Sequence, residues 1–209
     1  MKKATENQQD VNDYINKMWG DPIIVLEQVF FPYLDLMKGS TIVCEIGVGT
    51  GRWSREIIKR MNFDNETKLI LVDHSSWVID FLKNYFREEQ RIFPLLNNGN
   101  NLPISTDGSV DLIFSDGTFI ELKLGQILSL IKEIHRALKP GGIFTFDFID
   151  IDTEEAWRHL HTYCDQFGHC FTYHSADTMI RLFSEVGFSL KNRVQIPKSK
   201  SVYLVFEKK

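Results

Sequence analysis

From Thr41 to Phe148 the chain alternates short apolar runs with longer runs of helical period, and this alternation restricts the fold more than any other feature. Thr41–Ile46, Leu69–Val72, Ile92–Leu96, Val110–Phe114 and Ile143–Phe148 read as strands. Gly51–Met61, Trp77–Arg87 and Glu121–Leu138 carry apolar residues at spacings of three and four, as helices do. Strands joined by helical crossovers form a parallel sheet with helices on both faces. Beyond it come two more amphipathic helices, Thr153–Phe167 and Ala176–Val186, then a Gly187-Phe188 turn. Strands Phe188–Gln195 and Ser201–Phe206 follow as a hairpin. The expected class is α/β: a doubly wound, seven-stranded, mostly parallel sheet with a C-terminal antiparallel hairpin.

The segment ahead of this alternation reads as a helix, Val11–Trp19, closed by Gly20-Asp21-Pro22, and a second helical pattern through Ile23, Leu26, Phe30, Leu34 and Met37. Pro32 should kink the second helix. The first ten residues are polar and expected to fray. The expected organisation is an N-terminal helical cap over residues 1–40 and a core domain over 41–209. A helical insertion at about 150–174 interrupts that core on the substrate side.

Composition sets bounds on function. With 43% hydrophobic and 25% charged residues, the 209-residue chain lies in the ordinary globular range. Twenty-four Lys and Arg against 28 Asp and Glu give a net charge of −4, which argues against a general grip on nucleic-acid phosphates. The densest apolar stretch, Ile23–Met37, is broken by Glu27, Gln28, Pro32 and Asp35, so no membrane span is expected. The Met-Lys-Lys-Ala-Thr-Glu start lacks the hydrophobic run of a secretion signal. Three cysteines, Cys44, Cys164 and Cys170, suit reduced thiols better than a disulfide framework, and the expected location is the cytoplasm.

The strongest local signal is Glu45-Ile46-Gly47-Val48-Gly49-Thr50-Gly51-Arg52, at the junction of the first strand and the next helix. Glycines there let the backbone turn sharply and approach a ligand, while the helix N-terminus offers free N–H groups. A dinucleotide fingerprint would need glycine at 52, which is Arg, and a phosphate-cradling P-loop would need a Gly-Lys-Ser/Thr that does not follow. An acid ahead of Gly-x-Gly-x-Gly resembles the first motif of the class I S-adenosylmethionine-dependent methyltransferases. Leu71-Val72-Asp73, Asn98-Gly99, Ser109–Ser115, Arg136–Gly142 and Phe183-x-x-x-Gly187-Phe188 follow in that family's order. The resemblance covers about residues 41–148 and the chain's last helix, and implies a Rossmann-like fold with S-adenosyl-L-methionine as cofactor and S-adenosyl-L-homocysteine as product.

By that resemblance Gly47, Gly49 and Gly51 form the cofactor loop, and Glu45 serves the loop and the cofactor's methionine end. Asp73 accepts hydrogen bonds from the ribose hydroxyls, and His74 packs near the adenine. Asn98 and Gly99 meet the adenine. Asn98 stands where the family usually has Asp; its carbonyl oxygen can still accept a hydrogen bond there, without a charge. Ser115 and the backbone of Asp116 border the methionine end.

Methyl transfer needs alignment more than a dedicated catalyst, because the sulfonium already carries the activation. Asp116 and Asp147, at the strand ends where ligands of such sheets bind, are the candidates for a base, and Asp150 also lies there. The run from His159 to His174 is rich in metal-ligand types. His161 and Cys164 share a helix face, yet no Cys-x-x-Cys accompanies them, and no metal is expected. Tyr163, Phe171 and Tyr173 from this run, with Tyr14, Met18 and Trp19 from the first helix, would wall an acceptor pocket. Lys191, Arg193, Lys198 and Lys200 read as charges that keep edge strands from pairing. The expected activity is methylation at O or N of a small molecule by a monomer or homodimer. An RNA or protein methyltransferase and a non-catalytic cofactor-binding subunit are the alternatives.

Overall fold

The computed structural model describes residues 10–61, 66–164, 170–197 and 199–209. Phe167, His169 and Lys198, which figure in the sequence reading, lie outside them. Three helices come first: α1 (Val11–Trp19), α2 (Ile23–Val29) and α3 (Phe31–Leu34). Asp10 caps α1, its Oδ1 accepting the N–H groups of Asn12 (2.8 Å) and Asp13 (3.2 Å). The break between α2 and α3 falls at Phe30, with Pro32 in the first turn of α3, where a missing N–H is tolerated.

The core then runs β1 (Ile42–Ile46), α4 (Arg52–Arg60), β2 (Lys68–Asp73), α5 (Ser76–Tyr85), β3 (Ile92–Leu96) and β4 (Val110–Ser115). A 3₁₀ turn (Phe119–Glu121), α6 (Leu124–Ala137), β5 (Leu138–Asp150), α7 (Glu154–Tyr163) and β6 (Tyr173–His174) follow. The chain closes with α8 (Ala176–Val186), β7 (Phe188–Gln195) and β8 (Ser201–Lys208). The strand order is β3-β2-β1-β4-β5-β8-β7, with β1 to β5 parallel and β7 and β8 antiparallel. The expected α/β class and C-terminal hairpin are therefore present. The eighth strand, β6, was not expected; it adds two residues beside the far end of β5.

Two hydrophobic clusters cover the two sheet faces. On one, α6 and α8 pack against rings that include Phe144, Phe146, Phe183 and Phe206. Phe183 stacks on Phe206 at 4.3 Å and on Phe146 at 5.0 Å. On the other face Leu26, Val29, Phe30 and Phe31 join Val43, Phe114 and Val205, so α2 and α3 supply core as well as cover. Thr145 Oγ1 ties β5 to this layer by donating to Val29 O (3.3 Å). On α5 the rings of Trp77, Phe81 and Tyr85 stack at 6.0 and 5.5 Å, and Tyr85 meets Phe86 edge-on at 4.8 Å. Among the described residues no helix is long and apolar enough to cross a membrane.

Candidate active site

Two cavities open beyond the C-terminal ends of the parallel strands. The first, of 310 Å³, lies between the β1–α4 turn, the end of β2 and residues 97–100. Gly47, Gly49 and Gly51 all hold positive φ, at +72°, +54° and +73°. Their reasons differ. A Cβ on Gly47 would lie 1.8 Å from Thr118 Oγ1, and one on Gly51 would lie 2.6 Å from Phe86 Cε2. A Cβ on Gly49 would meet nothing within 4 Å, which leaves that stretch of backbone open to a ligand.

Asp73 ends β2 and is 7% exposed. Its Oδ2 accepts from Gly49 N (3.2 Å) and its Oδ1 from Ser75 N (2.9 Å). A carboxylate offers about four acceptor sites, so two remain for hydroxyl donors in the cleft. His74 stands exposed at the rim, with Nδ1 3.6 Å from Asp73 Oδ1. Gly99 turns the rim loop at φ +87°. Asn98 lines the same cleft, but its carbonyl oxygen accepts the N–H groups of Asn100 (3.0 Å) and Asn101 (3.2 Å). The oxygen expected on the adenine thus closes the loop that forms the rim.

Ser115 is fully buried and donates to Ile46 O (2.9 Å), so its side chain braces the glycine turn from below. Glu45, 1% exposed, also sits under the turn and accepts from Ser54 Oγ at 2.5 Å. Burial raises its carboxyl to about 8, with Asp116 and Asp73 adding to the rise and Ser54 and Arg52 opposing it. On the outer side, Asn12 donates to Thr50 O (3.1 Å) and accepts from Thr50 Oγ1 (2.6 Å), latching α1 to the loop. One turn further along α1, Asn16 Oδ1 is buried with no hydrogen-bond partner among the described residues.

The second cavity, of 660 Å³, adjoins the first, and Glu121 lines both. Trp19, Trp53 and Phe171 provide aromatic walls. Along one side runs a row from three adjacent strands. Asp147 on β5 pairs in register with Tyr203 on β8, and Asp116 follows Ser115 of β4, the partner of Phe146. Tyr203 OH donates to Asp116 Oδ2 at 2.5 Å, and Asp147 Oδ1 accepts Gly117 N at 2.7 Å. Burial raises the Asp147 carboxyl to about 8, with the neighbouring Asp116 charge adding to it and the Gly117 N–H opposing it. Burial also raises Asp116, against the pull of Tyr203 and Arg52. Two carboxyls this close do not both ionise readily, so near neutral pH the row retains a proton.

Asp116 and Asp147 therefore come together on one cavity wall, while Asp150 does not join them. It is buried, bonded to Arg193 Nη2 (2.6 Å), Ala176 N (3.2 Å) and Asp152 N (3.2 Å), and it fastens β5 to β7 and α8. The basic group read along the final hairpin disperses: Lys191 pairs with Glu207 (3.1 Å), Arg193 with Asp150, and Lys200 turns into the second cavity. His159 Nδ1 lies 2.8 Å from Tyr173 OH, and Cys164 and Cys170 are exposed free thiols. Of the residues expected as acceptor walls, Trp19 and Phe171 line the cavity. Arg52, Trp53, Lys200 and Tyr203 line it too and were not foreseen. Trp53 and Arg52 directly follow the glycine motif, a signal that could have found them; Tyr203 needs the β5–β8 register.

An open α/β sheet with a glycine-bearing first turn and an acid ending its second strand is the frame of the Rossmann-like nucleotide-cofactor proteins. Residues 43–142, a little under half of the chain, match the methyltransferase domain family, and the fold is the one class I S-adenosylmethionine-dependent methyltransferases have. Over 140 residues, 64% of its length, it is 29% identical to a tRNA N(3)-methylcytidine methyltransferase of Schizosaccharomyces pombe, and it spans 43% of that protein. A chain in the complex between the Haloferax volcanii Trm112 methyltransferase activator and a methyltransferase superposes with a TM-score of 0.71 at 17% identity, over 94% of this chain and 92% of that one. A SAM-dependent methyltransferase from Aquifex aeolicus gives 0.66 at 17% identity, over 95% and 99%.

Proposed function

We propose that the chain transfers a methyl group from S-adenosyl-L-methionine to O or N of a small acceptor held in the 660 Å³ cavity. The observation that carries this reading is the meeting of two dissimilar cavities at Glu121, with the neighbouring Thr118 lining the first and Gly117 the second. The residues of the first fit the cofactor. Gly49 leaves backbone open, and Asp73 keeps two acceptor sites for ribose hydroxyls. Asn98 and Gly99 would border the adenine, with His74 at its edge.

The cofactor, when bound, supplies an electrophilic methyl group. Everything else falls to the chain. Glu45 and Ser115 hold the turn in shape from beneath, and the Asn12 latch holds it from outside. The aromatic walls exclude water and orient a flat acceptor, and orientation of this kind is worth up to about 7–11 kcal/mol of a barrier. Asp116 and Asp147 sit where the acceptor's nucleophilic atom would lie and take its proton; a positioned base contributes roughly 10²- to 10⁴-fold.

A second reading, a nucleobase of RNA as acceptor, is favoured by the similarity to the tRNA methyltransferase. Incubation with methyl-labelled cofactor, a small-metabolite extract and bulk tRNA separates the two. Label in the metabolite pool supports the small acceptor, and label confined to tRNA reverses the choice. Absence of S-adenosylhomocysteine binding by calorimetry would remove both.

A further inference from the structure

Charges in the acceptor cavity are unevenly satisfied. Four acids line it, and each has a donor of its own. Asp21 accepts Ile23 N (3.0 Å), Asp116 accepts Tyr203 OH, Asp147 accepts Gly117 N, and Glu121 accepts Cys170 Sγ at 3.6 Å. The two cations on the same cavity differ. Among the described residues, neither Arg52 nor Lys200 has a carboxylate oxygen within 4 Å. Arg52 lies 4.7 Å over the Trp53 ring and makes one hydrogen bond, from Nη1 to Gly20 O at 3.3 Å. Lys200 Nζ lies 4.3 Å over the Phe171 ring.

A guanidinium carries five N–H donors and an ammonium three, and neither can accept. Arg52 and Lys200 therefore keep charged donors without a direct carboxylate contact among the described residues, each held on an aromatic face. Burial depresses the proton affinity of both groups, and the acids nearby, Asp116, Asp21 and Glu45 for Arg52 and Asp147 for Lys200, oppose this only in part and without direct contact. A ligand that brings acidic oxygens relieves this, and charge-assisted hydrogen bonds to such oxygens are about twice as strong as neutral ones. The flat walls of Trp19, Trp53 and Phe171 suit an apolar or planar body attached to that group.

We propose that the acceptor is an anionic small molecule, bearing a carboxylate or a phosphate ester, whose charged group is bound by Arg52 and Lys200. This rests on the methyltransferase reading and narrows its substrate class. Lys200 is the better handle for a test because it belongs to the connection between β7 and β8, whereas Arg52 opens α4 directly after the glycine turn.

The test begins with methyl-labelled cofactor and a small-metabolite extract, followed by anion-exchange chromatography of the product at neutral pH. Label retained on the anion exchanger is expected, for a carboxylate or a phosphate ester alike, and phosphatase treatment that releases it identifies the phosphate ester. Using that fraction as substrate, Lys200→Gln should raise the acceptor KM at least ten-fold, with Lys200→Arg close to wild type and the S-adenosylhomocysteine Kd unchanged in both. Label in the unretained neutral or cationic fraction, or in tRNA, overturns the proposal. So does a KM that Lys200→Gln leaves unchanged. Failure of wild-type protein to bind S-adenosylhomocysteine instead removes the methyltransferase reading itself, which calorimetry shows independently of any acceptor.

Discussion

The two cavities are built by opposite means. The 310 Å³ cleft is shaped by backbone: three left-handed glycines, an acid that fixes two N–H groups, and an asparagine loop that closes on itself. The 660 Å³ cavity is shaped by side chains drawn from α1, α4, β5, β8 and the loops after β4 and before β6. Backbone geometry suits a ligand that never changes, because altering it disturbs the fold. Side chains suit a ligand to be selected, because each can be exchanged with little effect on the sheet.

The sharpest way to break this contrast is Gly47→Val. A side chain there takes a left-handed conformation costing about 1–2 kcal/mol and strikes Thr118, an overpacking worth another 1–3 kcal/mol or so. Thermal unfolding should fall accordingly and S-adenosylhomocysteine binding should vanish. Thr118→Ala should return part of the stability in Gly47→Ala; no recovery would mean that conformation, not contact, requires the glycine.

Next in size, Asp73→Ala should weaken S-adenosylhomocysteine binding about 30- to 100-fold, the loss of one or two hydrogen bonds to a charged group. A titration with Kd unchanged would deny the cleft its assigned ligand. On the other side, Asp147→Asn should lower kcat about 100-fold and leave that Kd within two-fold. Burial, and at Asp147 the neighbouring Asp116 charge, hold the Asp116–Asp147 pair to a proton well above the usual carboxylate range, and Asp147 cannot act as a base while it carries that proton. Wild-type rate should therefore climb as pH rises toward 8 and level off above, and the climb should be absent in Asp147→Asn.

A further effect falls on stability rather than on binding or rate. Glu45 binds its proton up to about pH 8 in the folded protein and only to about 4.5 when unfolded. Between those values the folded state holds the extra proton, so wild-type stability falls as pH rises through the window. Glu45→Gln removes that dependence, since each unit of pKa difference corresponds to about 1.4 kcal/mol. The variant should melt with wild type below pH 5 and above it at pH 8.5. Equal melting at both would show the carboxyl ionising freely under the turn.

The same contrast explains what could be read in advance. β1, β2, β4 and β5 were legible because strands buried on both faces are nearly continuous apolar runs, while β3, at the sheet edge, kept an apolar run although Phe93 and Leu96 are exposed. The glycine turn and Asp73 were legible because each is a local motif. β6 was not, since two residues make no pattern and its pairing depends on where β5 projects past β4. The helix expected from Glu121 starts at Leu124 because a 3₁₀ turn intervenes and Gln126 Oε1 accepts Lys123 N at 3.0 Å to set its first turn. The Asp116–Asp147–Tyr203 row was half legible: the acids could be placed at strand ends, but the tyrosine depends on antiparallel register across the hairpin. Asp150 shows the limit of position alone. It follows Asp147 by three residues on one strand, so it faces the other side, where Arg193 meets it.

Gly51 has a consequence away from either ligand. Phe86 presses on it, and Phe86 ends the run of stacked rings that begins at Trp77. The resting curvature of the turn is thus inherited from an aromatic column whose far end lies in solvent, 57% exposed at Trp77. A substitution at the outer end of that column is thus linked, through packed rings, to the turn the glycine motif makes.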